Sequence, residues 1–240
     1  MTKIVLIILM IFIMYAIIPN FYSRNISKNV LRRFDNTNYL ALTFDDGPDP
    51  KYTPELLDLL KKNEVKATFF LVADKAYKNK ELVYRMIKEG HEVGLHSLKH
   101  KSAWLTTPLQ TKYNFDRSIE IFKELGINIK LFRPPWGTFN LFTLYYATKY
   151  RLKTIFWTKE AKDWSRKTTV EQIKDRIINN INNGDIIVLH DSNGAEGAPK
   201  RTIEAVRDII PKLKHDGYEF VTISQGMGGV EFEQDSQIYI

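Results

Sequence analysis

The chain has 240 residues, 44% hydrophobic and 26% charged, enough apolar material for one sizeable core and one domain. It has no cysteine, which excludes disulfides and thiolate ligands and confines any metal site to His, Asp or Glu. Of the net charge of +7, Lys3, Arg24, Lys28, Arg32 and Arg33 against Asp35 place +4 before Asn36, a position that suits anionic lipid or an anionic wall polymer.

No basic helix interleaved with aromatics is present, so nucleic acid is not an expected partner. Ile4 to Ile18 is fifteen consecutive uncharged apolar residues between Lys3 and Pro19. A comfortable membrane span takes about 20, and the core of a secretion signal is closer to this length. No small-x-small cleavage site follows, so residues 1–22 read as an uncleaved signal-anchor, with a cleaved signal or a buried core helix as alternatives. Residues 23–38 read as a basic juxtamembrane linker, 39–225 as a single domain and 226–240 as a peripheral tail. The positive-inside tendency would keep the side bearing Arg24 to Arg33 in the cytoplasm. Only chemistry that belongs outside the cell argues the other way.

From Leu40 onward, strand-like and helix-like segments alternate. Leu40–Phe44 reads as a buried strand ended by Asp45-Asp46-Gly47-Pro48, and Pro54–Lys62 as a helix with Thr53 as its N-cap. Strand Ala67–Val72, helix Lys80–Glu89 and strand His91–Leu95 follow. A helix over Pro108–Leu125 after Thr107, a strand at Ile129–Phe132, a helix at Leu141–Tyr150 and a strand at Thr154–Trp157 come next. Helix Thr169–Ile181, strand Asp185–Leu189, helix Lys200–Lys214 and strand Glu219–Ile223 complete the set. Seven strands separated by helices imply parallel strands with right-handed crossovers. The expected fold is therefore α/β, a closed or nearly closed seven-stranded barrel behind an N-terminal hydrophobic helix, with an open doubly wound sheet as the alternative.

The unusual polar residues fall just after these strands: Asp45 and Asp46, His96 and His100, Arg133, Asp163-Trp164, and His190-Asp191. That is the end of the sheet where such folds build their sites. The two histidines are spaced i, i+4, so one helical turn would bring both rings to one side. With a carboxylate from another strand end they form a His₂Asp set with open positions, as catalytic metals require. Zinc is the first ion for such nitrogen and oxygen ligands, with cobalt or manganese as alternatives. Alone, Asp45-Asp46-Gly47 would pass as a solvated turn, and Trp157 and Trp164 as core aromatics.

Thr43-Phe44-Asp45-Asp46-Gly47, His96-Ser97-x-x-His100, Arg133-Pro134-Pro135-Trp136-Gly137, Asp163-Trp164 and Ile187-Val188-Leu189-His190-Asp191 resemble, in order and spacing, the five motifs of the polysaccharide deacetylases, the NodB-homology enzymes of carbohydrate esterase family 4. The resemblance spans about Leu40 to Ser224. It implies a distorted (β/α) barrel of about seven strands and metal-dependent removal of N-acetyl groups from amino-sugar polymers, with peptidoglycan or a chitin-like glycan as substrate. Deacylation of a lipid-linked sugar and a non-catalytic carbohydrate-binding role are the competing readings. Position by position, it implies that Asp46, His96 and His100 hold the metal and that Asp45 is the general base, paired with Arg133. It likewise implies His190 as general acid, paired with Asp163. The Trp136 backbone N–H would serve the oxyanion, and Leu189 and Trp164 would form the slot for the acetyl methyl. Two positions depart from the family pattern. Trp136 stands where a Tyr is usual, and Glu160 replaces the first Asp of Asp-x-x-Asp-Trp.

Overall fold

The structure, a computed structural model, describes residues 2–35 and 37–228. Among these, nine strands appear in chain order: β1 (Val30–Leu31), β2 (Tyr39–Asp45), β3 (Thr68–Leu71), β4 (Glu92–Leu95), β5 (Leu131–Phe132), β6 (Lys153–Ile155), β7 (Lys159–Glu160), β8 (Ile186–His190) and β9 (Glu219–Phe220). Eight lie side by side in the order β1-β6-β5-β4-β3-β2-β8-β7, and β9 adds to β2. All the strand pairings are parallel, as the alternation with helices requires. The distorted barrel is thus a curled sheet whose end strands β1 and β7 do not pair with each other. Beyond β1 the chain crosses to the foot of β8, where Arg33 bridges Asp185 and the Phe34 N–H donates to the Gly184 carbonyl at 2.9 Å.

Period-two alternation divides the apolar residues into two layers. Ala41, Phe70, Leu131, Ile155 and Ile186 pack with Phe34, Val221 and Ile223 inside the curl. Leu40, Leu42, Phe44, Phe69, Ile187 and Leu189 face the surrounding helices. Gly94 on β4 makes room for this interior, since a Cβ there would lie 2.8 Å from the Phe70 ring. The helix at Pro108–Glu124 begins as expected after Thr107, whereas that at Val170–Ile178 begins one residue later than expected because Thr169 is its N-cap; each start carries a capping box, Thr107 with Gln110 and Thr169 with Gln172.

Three expectations are corrected. Thr53 is the first residue of its helix rather than its cap, and its hydroxyl donates to Asp191 Oδ2. A short helix at Ala73–Lys78 lies where none was expected. The stretch read as a linker is woven into the domain: β1 pairs with β6, Phe34 is buried, and Arg33 is ion-paired to Asp185 at 2.6 Å. Arg32 donates to the carbonyls of Ser23 and Arg24 and so caps the N-terminal helix. That helix runs through Pro19 to Asn25, further than the apolar run alone indicated. Of the expected C-terminal tail, 229–240 lie outside the described residues.

Candidate active site

Asp45 ends β2, and its parity with Ala41 and Thr43 points it into the curl. Asp46 then turns the chain with φ +76, a left-handed conformation that Asp tolerates better than most residues. Gly47 follows where no side chain fits, because a Cβ would lie 2.4 Å from Asp191 Oδ1. Lys75, on the unexpected short helix, ties this turn down by donating to the Asp46 carbonyl at 2.9 Å and to Ser192 and Asn193.

His96 and His100 meet as expected, but not through a helical turn. The loop after β4 has left-handed residues at Ser97 (φ 66) and His100 (φ 53), and the His100 N–H donates to Ser97 Oγ. The Nδ1 of His96 lies 2.8 Å from the Arg133 carbonyl, which can only accept. That contact places the proton on Nδ1 and leaves Nε2 free as a ligand. Asp46 Oδ1 sits 2.8 Å from His100 Nε2 and 3.4 Å from His96 Nε2. It is buried yet has no hydrogen-bond partner among the described residues. One donor atom from each residue lies within 4.8 Å of the others. Ligands bound at 2.0–2.1 Å in a tetrahedral arrangement would stand about 3.3 Å apart, so the donor set fits a divalent cation with N₂O ligation. Burial alone would raise the Asp46 pKa, but the two imidazoles override it and hold the carboxyl well below the usual range.

Beside this set, Arg133 is fully buried and donates to Asp45 Oδ1 and Thr43 Oγ1, both at 2.7 Å, and to the Phe156 carbonyl at 3.1 Å. Its guanidinium lies over the Phe70 ring at 4.1 Å. The other Asp45 oxygen faces His96 Nε2 at 3.9 Å, on the cation side. His190 ends β8, and its Nδ1 meets the fully buried Asp163 at 2.8 Å. Burial disfavours the charged ring, but Asp163 overcomes this, with lesser help from Asp46 and Asp45, and pushes the His190 pKa up to about 10.

Asp45, Asp46, His96, His100 and His190 line one cleft of about 330 Å³ with Trp136, Trp157, Glu160, Trp164, Val188, Asn193 and Gly194. Trp136 sits at the mouth in a left-handed turn (φ 59), its ring 5.2 Å from that of His100. Leu189, expected on the acetyl slot, is instead buried against the helices. Val188 and His190 share the cleft side of β8, so Val188 rather than Leu189 lines the cleft. The parity of β8 already carried this signal, because a strand that turns His190 inward must turn Leu189 outward. Trp157, Asn193 and Lys75 were also missed, and no local motif marks them. His91 is structural: it is buried and its Nδ1 accepts the Ala67 N–H at 3.1 Å.

Comparison with known proteins agrees with this geometry. Residues 33–155 match the family model described as polysaccharide deacetylase. A peptidoglycan-N-acetylglucosamine deacetylase of Bacillus cereus is 35% identical over 193 residues, covering 80% of this chain and 89% of that protein. A solved peptidoglycan N-acetylglucosamine deacetylase, in complex with 4-naphthalen-1-yl-N-oxidanyl-benzamide, aligns with a TM-score of 0.78 at 31% identity, covering 83% of this chain and 93% of that one. A family 4 acetyl xylan esterase from Clostridium thermocellum, in complex with a cobalt ion, aligns with a TM-score of 0.72 at 36% identity, over 79% and 90% of the two chains.

Proposed function

Because the chain belongs to the polysaccharide deacetylase family, hydrolases that remove acetyl groups from glycans, we propose that it deacetylates N-acetylglucosamine units of peptidoglycan, with its catalytic domain outside the cytoplasmic membrane and its Thr2–Asn25 helix as anchor. The observation that carries this reading is the convergence of Asp46, His96 and His100 between a carboxylate held by Arg133 and an imidazole held by Asp163.

Asp46, His96 and His100 would hold a divalent cation, zinc being the first choice for this donor set, and it would supply Lewis acidity toward the acetyl carbonyl and water. Asp45 keeps one oxygen on Arg133 and turns the other toward that position, where it takes a proton from the attacking water. As the new C–O bond forms, the Trp136 backbone N–H donates to the oxygen that gains charge. The C–N bond then breaks, and His190 delivers a proton to the departing sugar nitrogen from Nε2, since Nδ1 is engaged by Asp163. Without that proton an amine leaves very poorly. Val188 and Trp164 enclose the methyl group.

The test is acetate released from purified peptidoglycan by the full-length chain, with chelator and with zinc restored. Chelator-sensitive release supports the reading. Release from acetylated xylan or chitin oligomers, with none from peptidoglycan, would assign another glycan.

A further inference from the structure

Besides the apolar run itself, the stretches Ser102 to Thr111 and Pro134 to Thr148 carry no charge, although 26% of all residues do. The fold brings both against the N-terminal helix. The rings of Phe12 and Trp104 meet edge to face at 6.3 Å, and the Tyr15 hydroxyl donates to the Thr106 carbonyl at 2.6 Å. The Leu141 N–H donates to the Tyr15 carbonyl at 2.8 Å, and the Phe139 N–H to Asn20 at 3.0 Å. Pro19, four residues after Tyr15, has no N–H to offer that carbonyl. In lipid the carbonyl and the hydroxyl would both be left unpaired at substantial cost, and the domain loops satisfy them.

The Ile4–Ile18 run is about 22 Å long at 1.5 Å per residue, against a hydrocarbon core of about 30 Å. Its contacts with the domain already begin at Phe12. An anchor entering the bilayer from this domain therefore brings the loops that grip it down to the lipid surface. Those loops present an apolar tip: Leu105 is 82% and Leu109 79% exposed, and Trp104 and Leu141 are exposed beside them. The tip is continuous with a helix whose most apolar window has mean hydropathy 2.7 and is only 6% buried. Lys101 and Lys149 stand where the two charge-free stretches end or begin, positions suited to anionic headgroups. Tryptophan is enriched at such a boundary, and leucine and tryptophan make up the apolar face of segments that lie in it.

We propose that the catalytic domain rests on the lipid bilayer through Trp104, Leu105, Leu109 and Leu141, which enter the interfacial layer beside the Thr2–Asn25 helix and hold the cleft at the membrane surface. The proposal rests on the anchor reading and not on the reaction. Trp104 is four residues from the ligand His100, no more than about 14 Å of chain, so the cleft works on glycan next to the membrane.

The absence of cysteine makes the test direct. The full chain carrying Leu105→Cys, Leu109→Cys or, at the far end of the domain, Lys61→Cys is labelled with an environment-sensitive fluorophore and reconstituted in phosphatidylglycerol–phosphatidylethanolamine vesicles. Labels at 105 and 109 are expected to be quenched several-fold more by nitroxide-bearing lipid than the label at 61, and less by aqueous iodide. Equal quenching at all three sites, or protection of 105 and 109 from both quenchers by a second copy of the chain, overturns the proposal. A chain that does not float with the vesicles overturns the anchor as well. Acetate release is read separately, so loss of the deacetylase reading is distinguishable from either.

Discussion

Asp163 grips His190 at two points: one carboxylate oxygen meets the ring Nδ1 at 2.8 Å and the other accepts the His190 backbone N–H at 2.8 Å. The Thr202 hydroxyl donates to that second oxygen. The ring is thereby fixed in place, and its protonated form is favoured against the cost of burial.

A pH consequence follows from this pair. The general acid must be protonated, so activity should persist above neutral pH and fall where His190, whose pKa Asp163 raises, loses its proton. Asp163→Asn keeps a hydrogen-bond acceptor but removes the charge. The help from Asp46 and Asp45 is offset once a cation sits beside them, so burial then dominates and the ring loses its proton more readily. The basic limb of kcat/KM should move down to neutral pH or lower, with a fall at pH 8 within the ~10²–10⁴-fold range of a general acid. A limb that stays in place in the variant would show that His190 is not the group that titrates.

The Arg133–Asp45 pair predicts a stability effect. Arg133 is fully buried, and Asp45 is buried beside it. Arg133→Met would leave that carboxylate without its cation, at a cost of about 3–5 kcal/mol for a broken buried pair. Replacing both, as Arg133→Met with Asp45→Leu, should recover much of this loss while remaining inactive. Urea denaturation of the three proteins gives the comparison. Equal stability of the single variant and the parent would mean that solvent reaches the pair.

Much of this site was legible because it is written at strand ends. A buried run followed by Asp, His or Arg identifies the chemical end of a parallel sheet before any contact is known, and Thr107 marked the start of the helix that follows it. What escaped notice depends on long-range packing. β1 has two residues and exists only because β6 lies beside it. Thr53 looked like a cap until Asp191, 138 positions away, took its hydroxyl. The i, i+4 spacing of His96 and His100 is the same in a helix and in this left-handed loop, so the pairing was readable and the backbone was not.

The parity of β8 separates two neighbouring residues. Val188→Ala enlarges the slot in the cleft and should raise the ratio of propionyl to acetyl turnover by about tenfold, the lower end of what one methylene commands in an apolar pocket. Leu189→Ala should leave that ratio alone and cost about 2–5 kcal/mol of stability, as a buried leucine truncation does. The original assignment of Leu189 to the slot would be restored if the acyl preference followed position 189 instead.

Adjacent aspartates should respond in opposite ways to metal. A cation that binds only the folded chain stabilises it by about 2.7 kcal/mol at a hundredfold excess over Kd, or roughly 5–11 °C in Tm for a domain of this size. The parent should show this shift with zinc or cobalt and lose it with chelator. Asp46→Asn removes the only carboxylate of the ligand set, so its shift should shrink or vanish together with turnover. Asp45→Asn should keep the shift, since its oxygen lies beyond the ligand cluster at 3.9 Å from His96 Nε2, yet lose turnover for want of a base. Its starting Tm should be lower, because Arg133 then has no anion to face. Calorimetry with and without metal, run beside acetate release, reads both effects. A metal-dependent shift lost in Asp45→Asn and kept in Asp46→Asn would exchange the two roles.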